Sequence, residues 1–287
     1  MKPNRYLSFI SLNIGFAALF TLSSCGGDDG DHDSVEPYRN TKPMRVSKIT
    51  ESHTKYSYNI VYYLVYDNSG NLEKVIYDGT RTGYYTYSYE GNTVTCSLYL
   101  IYEGRTTLDY TETFELKNGN VLMSVKSRPD SYGKTTTLYN YDSNGCMITE
   151  RSTSSGYTSN TEYTNSLTWE NGNMTKCVEF ENGSAFRTVN VAYSSIPWPK
   201  NLSMYLMVYA DSEADGLFLY PAGIWGSSPK YLPSRYDMYD MSGNLDRWGC
   251  AIDYTMKQGL IARMTVSNNG GFATRIFDIE WEEIPAK

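Results

Sequence analysis

The sequence predicts an all-β protein: a single large antiparallel meander of repeated hairpins, curled, with one Pro-rich, partly helical insertion at about 195–233. Three observations predict it. Glycine-tipped turn segments recur along the chain, and the residues between them alternate apolar and polar with period two. Tyr and Thr, which suit a pleated half-buried surface, fill those stretches. Tyr alone accounts for 28 of the 287 residues, about two thirds of all the aromatics.

The turn segments come in order. They are Tyr66-Asp67-Asn68-Ser69-Gly70-Asn71-Leu72, Tyr89-Glu90-Gly91-Asn92, Lys117-Asn118-Gly119-Asn120-Val121 and Tyr141-Asp142-Ser143-Asn144-Gly145. Glu170-Asn171-Gly172-Asn173-Met174, Tyr239-Asp240-Met241-Ser242-Gly243-Asn244-Leu245 and Asn268-Asn269-Gly270 follow. Their glycines lie 21, 28, 26, 27, 71 and 27 residues apart. Gly and Asn tolerate the positive φ that tight hairpin turns require. The dominant spacing fits two strands of about ten residues with one tight and one looser turn.

Between turns the pattern alternates. Leu108, Tyr110, Phe114 and Leu116 share one face of 106–117, with Glu112 intruding on it. Val121, Met123 and Val125 oppose Asn120, Ser124, Lys126 and Arg128, and Tyr163, Leu167 and Trp169 oppose Glu162, Thr164, Ser166 and Thr168. Each strand is therefore half-buried, and the sheet is antiparallel with one wet face. The 71-residue gap contains the insertion, which holds five of the ten prolines: Pro197, Pro199, Pro221, Pro229 and Pro233. Leu202, Tyr205, Leu206 and Tyr209 have helical spacing behind an Asn201 cap. With Trp198, Phe218 and Trp225 this insertion is expected to form a lid over part of the apolar face.

The first 24 residues have the layout of a signal peptide, with Lys2 and Arg5 ahead of an apolar run from Tyr6 to Leu22. Leu22-Ser23-Ser24-Cys25 resembles the lipobox of bacterial lipoproteins, which implies acylation of Cys25, palmitate among the acyl chains, and a stable membrane anchor. Residues 25–43 form an acidic, Gly-rich tether beginning Gly26-Gly27-Asp28-Asp29-Gly30-Asp31-His32-Asp33. The tether resembles the export signal of surface lipoproteins of Bacteroidota, and residues 44–287 form the β domain. Removing residues 1–24 leaves a net charge of about −9. That balance excludes nucleic acid as a partner.

Chemistry has little to work with. There are two histidines, and outside the tether only His53, which reads as a solvated turn residue. No P-loop, dinucleotide fingerprint or His-Glu-x-x-His motif occurs. A non-enzyme without a cofactor is expected. Asp211, Glu213 and Asp215, ahead of Gly216, resemble the opening of a calcium loop that lacks its closing acid. Cys96, Cys146, Cys177 and Cys250 are widely spaced and read as buried single thiols, with pairing left open. The tyrosines allow two readings: cross-strand aromatic ladders, or a platform on an exposed face that stacks on sugar rings. The platform would use Tyr85, Tyr87 and Tyr89 in one row, with Trp198 and Trp225. Tyr56, Tyr58 and Tyr62 make a second row.

The Tyr-Asp-x-x-Gly turns at 66–72, 141–145 and 239–245 resemble those of YD (Rhs-type) repeats. The order of features over about 45–282 resembles a Bacteroidota lipoprotein family of unknown function with a porin-superfamily fold, which implies no catalytic residues. The expectation is a lipid-anchored outer-membrane protein facing the cell exterior, a non-catalytic module binding a glycan or another surface protein. The alternatives are a glycan-active enzyme and a pore-forming barrel with its greasy face toward lipid. Glu112, the lipid anchor and the ending Ile284-Pro285-Ala286-Lys287 favour a tethered soluble sheet over the pore.

Overall fold

The computed structural model of the protein describes residues 43–56, 59–80, 82–129, 133–156, 161–199, 224–246, 249–270 and 274–285. Its strands are β1 (Met44–His53), β2 (Asn59–Tyr66), β3 (Leu72–Asp78), β4 (Thr82–Glu90), β5 (Thr93–Tyr102) and β6 (Arg105–Lys117). Then come β7 (Asn120–Ser127), β8 (Lys134–Tyr141), β9 (Met147–Ser155), β10 (Thr161–Glu170) and β11 (Asn173–Glu181). The last are β12 (Ser184–Pro197), β13 (Tyr231–Asp240), β14 (Cys250–Lys257), β15 (Leu260–Asn268) and β16 (Thr274–Glu283). Each pairs antiparallel with the next in sequence, and β16 returns to β1, so the sheet is a closed barrel. The expected antiparallel β architecture holds, and the sheet goes beyond a curl to close on itself: no described strand is left at an edge. No described residue is helical, and the expected helix at 201–209 lies outside the described residues, as do Cys25, Asp211, Glu213, Asp215 and Phe218.

Turn chemistry fixes the register. At Asn118-Gly119, Asn171-Gly172 and Asn182-Gly183 both residues have positive φ, the signature of the turn that matches strand twist. The Tyr-Asp turns use a different device. Asp67, Asp142 and Asp240 each accept two backbone N–H bonds through one carboxylate oxygen, from residues two and four places on.

Tight hairpin tips lie at both ends of the barrel. Those at 67–71, 91–92, 118–119, 142–145, 171–172 and 258–259 lie at one end, here the hairpin end, with both ends of the described chain: the Ile284 N–H donates to the Pro43 carbonyl. The opposite, loop end carries the connections around 54–58, 128–133, 156–160, 241–249 and 269–273.

The apolar face points inward. Ile49, Val75, Phe114, Cys177, Val189 and Phe277 have no exposed surface and belong to one continuous apolar cluster. A round barrel of this strand number would enclose water. Complete burial of these side chains means that solvent does not reach this part of the lumen. The outer wall carries Lys48, Lys74, Asp78, Glu115, Arg151, Asp253, Arg263 and Asp278. In β7 the expected faces hold at Val121 and then reverse. Leu122 is an extra residue opposite the Glu115/Leu116 step, so Ser124 and Lys126 face inward while Met123 and Val125 face out.

Between β12 and β13 the chain returns as residues 224–230 across the hairpin end. Val121 N–H donates to the Ile224 carbonyl, Ser227 N–H to Gly145, and Lys230 N–H to Gly172, so one segment straps three consecutive hairpins. Trp225 enters the core, edge-on to Phe114 and Tyr139 at 5.7 and 4.7 Å between centroids. This described part of the insertion covers apolar surface at the hairpin end.

Candidate functional site

The lumen is apolar toward the hairpin end and polar toward the loop end. At the hairpin end an aromatic donor on an even-numbered strand reaches the first inward residue of the strand before it. Tyr66 donates to the Val46 carbonyl at 2.7 Å, Tyr89 to Leu72 at 2.9 Å and Tyr193 to Met174 at 2.8 Å. Tyr254 donates to Pro233 at 2.7 Å, and the indoles of Trp169 and Trp281 donate to Met147 and Ile261 at 2.7 and 2.8 Å. These rings are half-buried with their polar tips satisfied, a structural girdle. Burial pushes the phenols of Tyr66, Tyr89, Tyr193 and Tyr254 well above their ordinary range.

Farther along, the inner wall from β6 to β12 is lined by polar side chains. Glu150, Asn165, Glu179 and Arg187 are successive cross-strand partners on β9 to β12, forming one rung. Arg187 Nε donates to Glu179 Oε2 at 2.8 Å, and Asn165 Nδ2 donates to Glu150 Oε2 at 3.0 Å. Beside the rung, Ser124 Oγ donates to Glu112 Oε1 at 3.0 Å, Thr137 and Ser152 share a 2.8 Å bond, and Tyr163 donates to Glu181 at 2.9 Å. Burial pushes the Glu150 carboxyl up to about 8, with the charges of Glu112 and Glu179 adding to the shift and the Asn165 bond opposing it. On the facing strands Glu51 accepts from Arg275 Nε at 2.9 Å and Tyr62 at 3.2 Å, and His53 Nε2 lies 3.2 Å from it.

His53 therefore corrects the expectation of a solvated turn: it ends β1, faces inward and lies against Tyr56. Burial, helped by Arg275 and opposed by Glu51, holds its imidazole below the ordinary range. Tyr85 and Tyr87 are 1% and 6% exposed, and Tyr89 is tied into the girdle, so this row is core and not an exposed platform. Tyr62, Tyr77 and Tyr85 sit 6.3 and 5.9 Å apart between centroids, the cross-strand ladder that was the other reading. Trp225 is buried as well, and Trp198 is a half-buried residue whose N–H donates to the Lys230 carbonyl.

The structure assembles an outward aromatic row that sequence reasoning did not single out. Tyr63, Ile76, Tyr84, Tyr99 and Leu108 are consecutive cross-strand partners on β2 to β6. Tyr63 is 46% exposed; the Tyr84 and Tyr99 rings stack at 4.9 Å, and Lys74 Nζ lies 4.1 Å from the Tyr84 centroid. The available signal was that Tyr84 and Tyr99 occupy the alternate positions to the inward Tyr85 and Leu98. Among the described residues no group of three His, Cys, Asp or Glu side chains could hold a metal ion. The four cysteines are buried and free, as expected.

No family model matches the chain, and no curated protein matches it. Solved structures do. A porin-like protein from Bacteroides uniformis aligns over 83% of this chain and 98% of its own, with a TM-score of 0.60 at 12% identity. A porin-like protein from Bacteroides vulgatus aligns over 84% of this chain and all of its own, with a TM-score of 0.60 at 15% identity. At that identity the likeness is one of fold: the chain shares a closed-barrel architecture with these proteins.

Proposed function

We propose that the protein is a lipid-tethered, non-catalytic binding barrel of the outer membrane, held outside the bilayer and facing the cell exterior. One observation carries the reading: the continuous apolar cluster lies inside the barrel, while the outer wall is studded with charges along its strands. Lys and Arg on a lipid-facing wall cost about 2–4 kcal/mol each at mid-membrane, so charges such as Lys48, Arg151 and Arg263 suit water. Attachment then falls to Cys25, where the lipobox-like Leu22-Ser23-Ser24-Cys25 and the acidic tether support acylation and surface export. The outward row of Tyr63, Tyr84 and Tyr99 is the surface offered to a glycan or another surface protein.

Metabolic labelling with palmitate tests the tether. The wild-type protein should take up label and sediment with membranes, and the Cys25→Ser variant should do neither. Protease shaving of intact cells should degrade the barrel. Protection until lysis would refute exterior exposure, and leakage from liposomes given the purified protein would refute a barrel outside the bilayer.

A further inference from the structure

Most inward carboxylates of the described residues are matched to donors. Glu51 has Arg275 and Tyr62, Glu112 has Ser124, Glu179 has Arg187 and Glu181 has Tyr163. Glu150 is different. Its Oε1 and the neighbouring Asn165 Oδ1 find no hydrogen-bond donor among the described residues, and the two residues are only 3% and 4% exposed. They face each other directly across β9 and β10, which brings their Cβ atoms within about 5 Å. Protonated, Glu150 has one O–H to offer between them; ionised, it leaves two adjacent buried acceptors without donors, which is costly.

We propose that Glu150 and Asn165 form a binding site for the primary ammonium group of a small amine. The pair calls for N–H or O–H donors, and the surrounding charge selects a cationic one. Glu51, Glu112, Glu179 and Glu181 face inward against Lys126, Arg187 and Arg275, and Glu150 adds a further carboxylate once it ionises. A calcium ion would need six to eight oxygens, which two side chains do not supply, and no described cluster suits a metal. An ammonium nitrogen needs about the room of one water, with N–H bonds to aim at both oxygens. Thr137, Ser152 and Tyr163 are the next cross-strand partners on the loop-end side of the rung. Binding is an exchange. The Glu150 carboxylic acid loses its proton to solvent as the ammonium group arrives, leaving a carboxylate paired with R–NH3+ and one released H+. The site does not depend on how the barrel is anchored.

Titration calorimetry on the full-length protein in detergent, near neutral pH, tests this with methylammonium and 1,4-diaminobutane as probes. Calcium chloride and glycerol are the comparators. Saturable amine binding is expected, with a heat that varies with buffer ionisation enthalpy as release of up to one proton requires. Glu150→Gln should weaken binding roughly tenfold or more. Asn165→Leu, which keeps the carboxylate, should weaken it too and serves if the first variant fails to fold. No saturable binding of either amine, unchanged affinity in both folded variants, or a response to calcium or glycerol in place of amines would each overturn the proposal. Failure here leaves the tethered-barrel reading untouched, because palmitate labelling and shaving test that separately.

Discussion

Glu150 is an acid kept in its neutral form by its surroundings. Its folded-state pKa of about 8 stands above the ordinary carboxylate value, so the folded chain holds a proton that the unfolded chain releases. Its stabilising share is therefore full below the ordinary carboxylate range and is lost as pH rises toward about 8. Urea unfolding at mildly acidic and at mildly alkaline pH checks the sign: wild-type stability should drop across that window by more than that of Glu150→Gln. The difference should be on the order of a few kcal/mol. Gly83 is as exacting for a steric reason. A Cβ there would collide with the Tyr99 carbonyl and the Tyr77 phenol, so Gly83→Ala should cost about 1–3 kcal/mol, read as a lowered urea midpoint. Burial raises the thiols of Cys96, Cys177 and Cys250, so they should resist iodoacetamide in the native protein and react once it unfolds. At this scale the sequence showed that Tyr85 and Tyr87 share a face but not which way that face turns. Tyr is at home wet or dry, and only the curl of the whole sheet decides.

Strands and hairpins were more legible, because turn chemistry is local. The Asn-Gly and Tyr-Asp-x-x-Gly tips predicted the hairpins they form. The repeating bulges were not legible. Glu73, Leu122, Ile148, Thr175 and Ala262 are each the extra residue on the return strand shortly after a hairpin-end turn. Each shifts the inward phase by one position, which explains why simple alternation misassigned Met123 and Val125. The girdle bonds are each expected to be modest. Tyr193→Phe should lose about 1 kcal/mol in chemical unfolding, since the ring stays packed and only the bond to the Met174 carbonyl goes. The strap should be less forgiving. Gly226 has a φ of 82°, and a Cβ would run into the Gly145 carbonyl and the Tyr141 ring. Gly226→Ala should dislodge Trp225, seen as a red shift of tryptophan emission and faster amide exchange at Val121.

Across the whole molecule, a meander follows from evenly spaced tips, but closure does not. It depends on the accumulated twist of sixteen strands and on a seam between residues more than two hundred positions apart, joined by Arg45 to Glu282 and Lys48 to Glu280. No local pattern encodes such a partnership. Deleting residues 274–287 would free β1 and β15, and the product should self-associate on size-exclusion chromatography. The seam also sets a mechanical direction. Pro43 and Ile284 leave the barrel side by side on antiparallel neighbours, so a force pulling them apart would load a single rung at a time. Tension between Pro43 and a grip on the far rim would strain many rungs of β1 together. The same wall is a zipper under one load and a rope under the other.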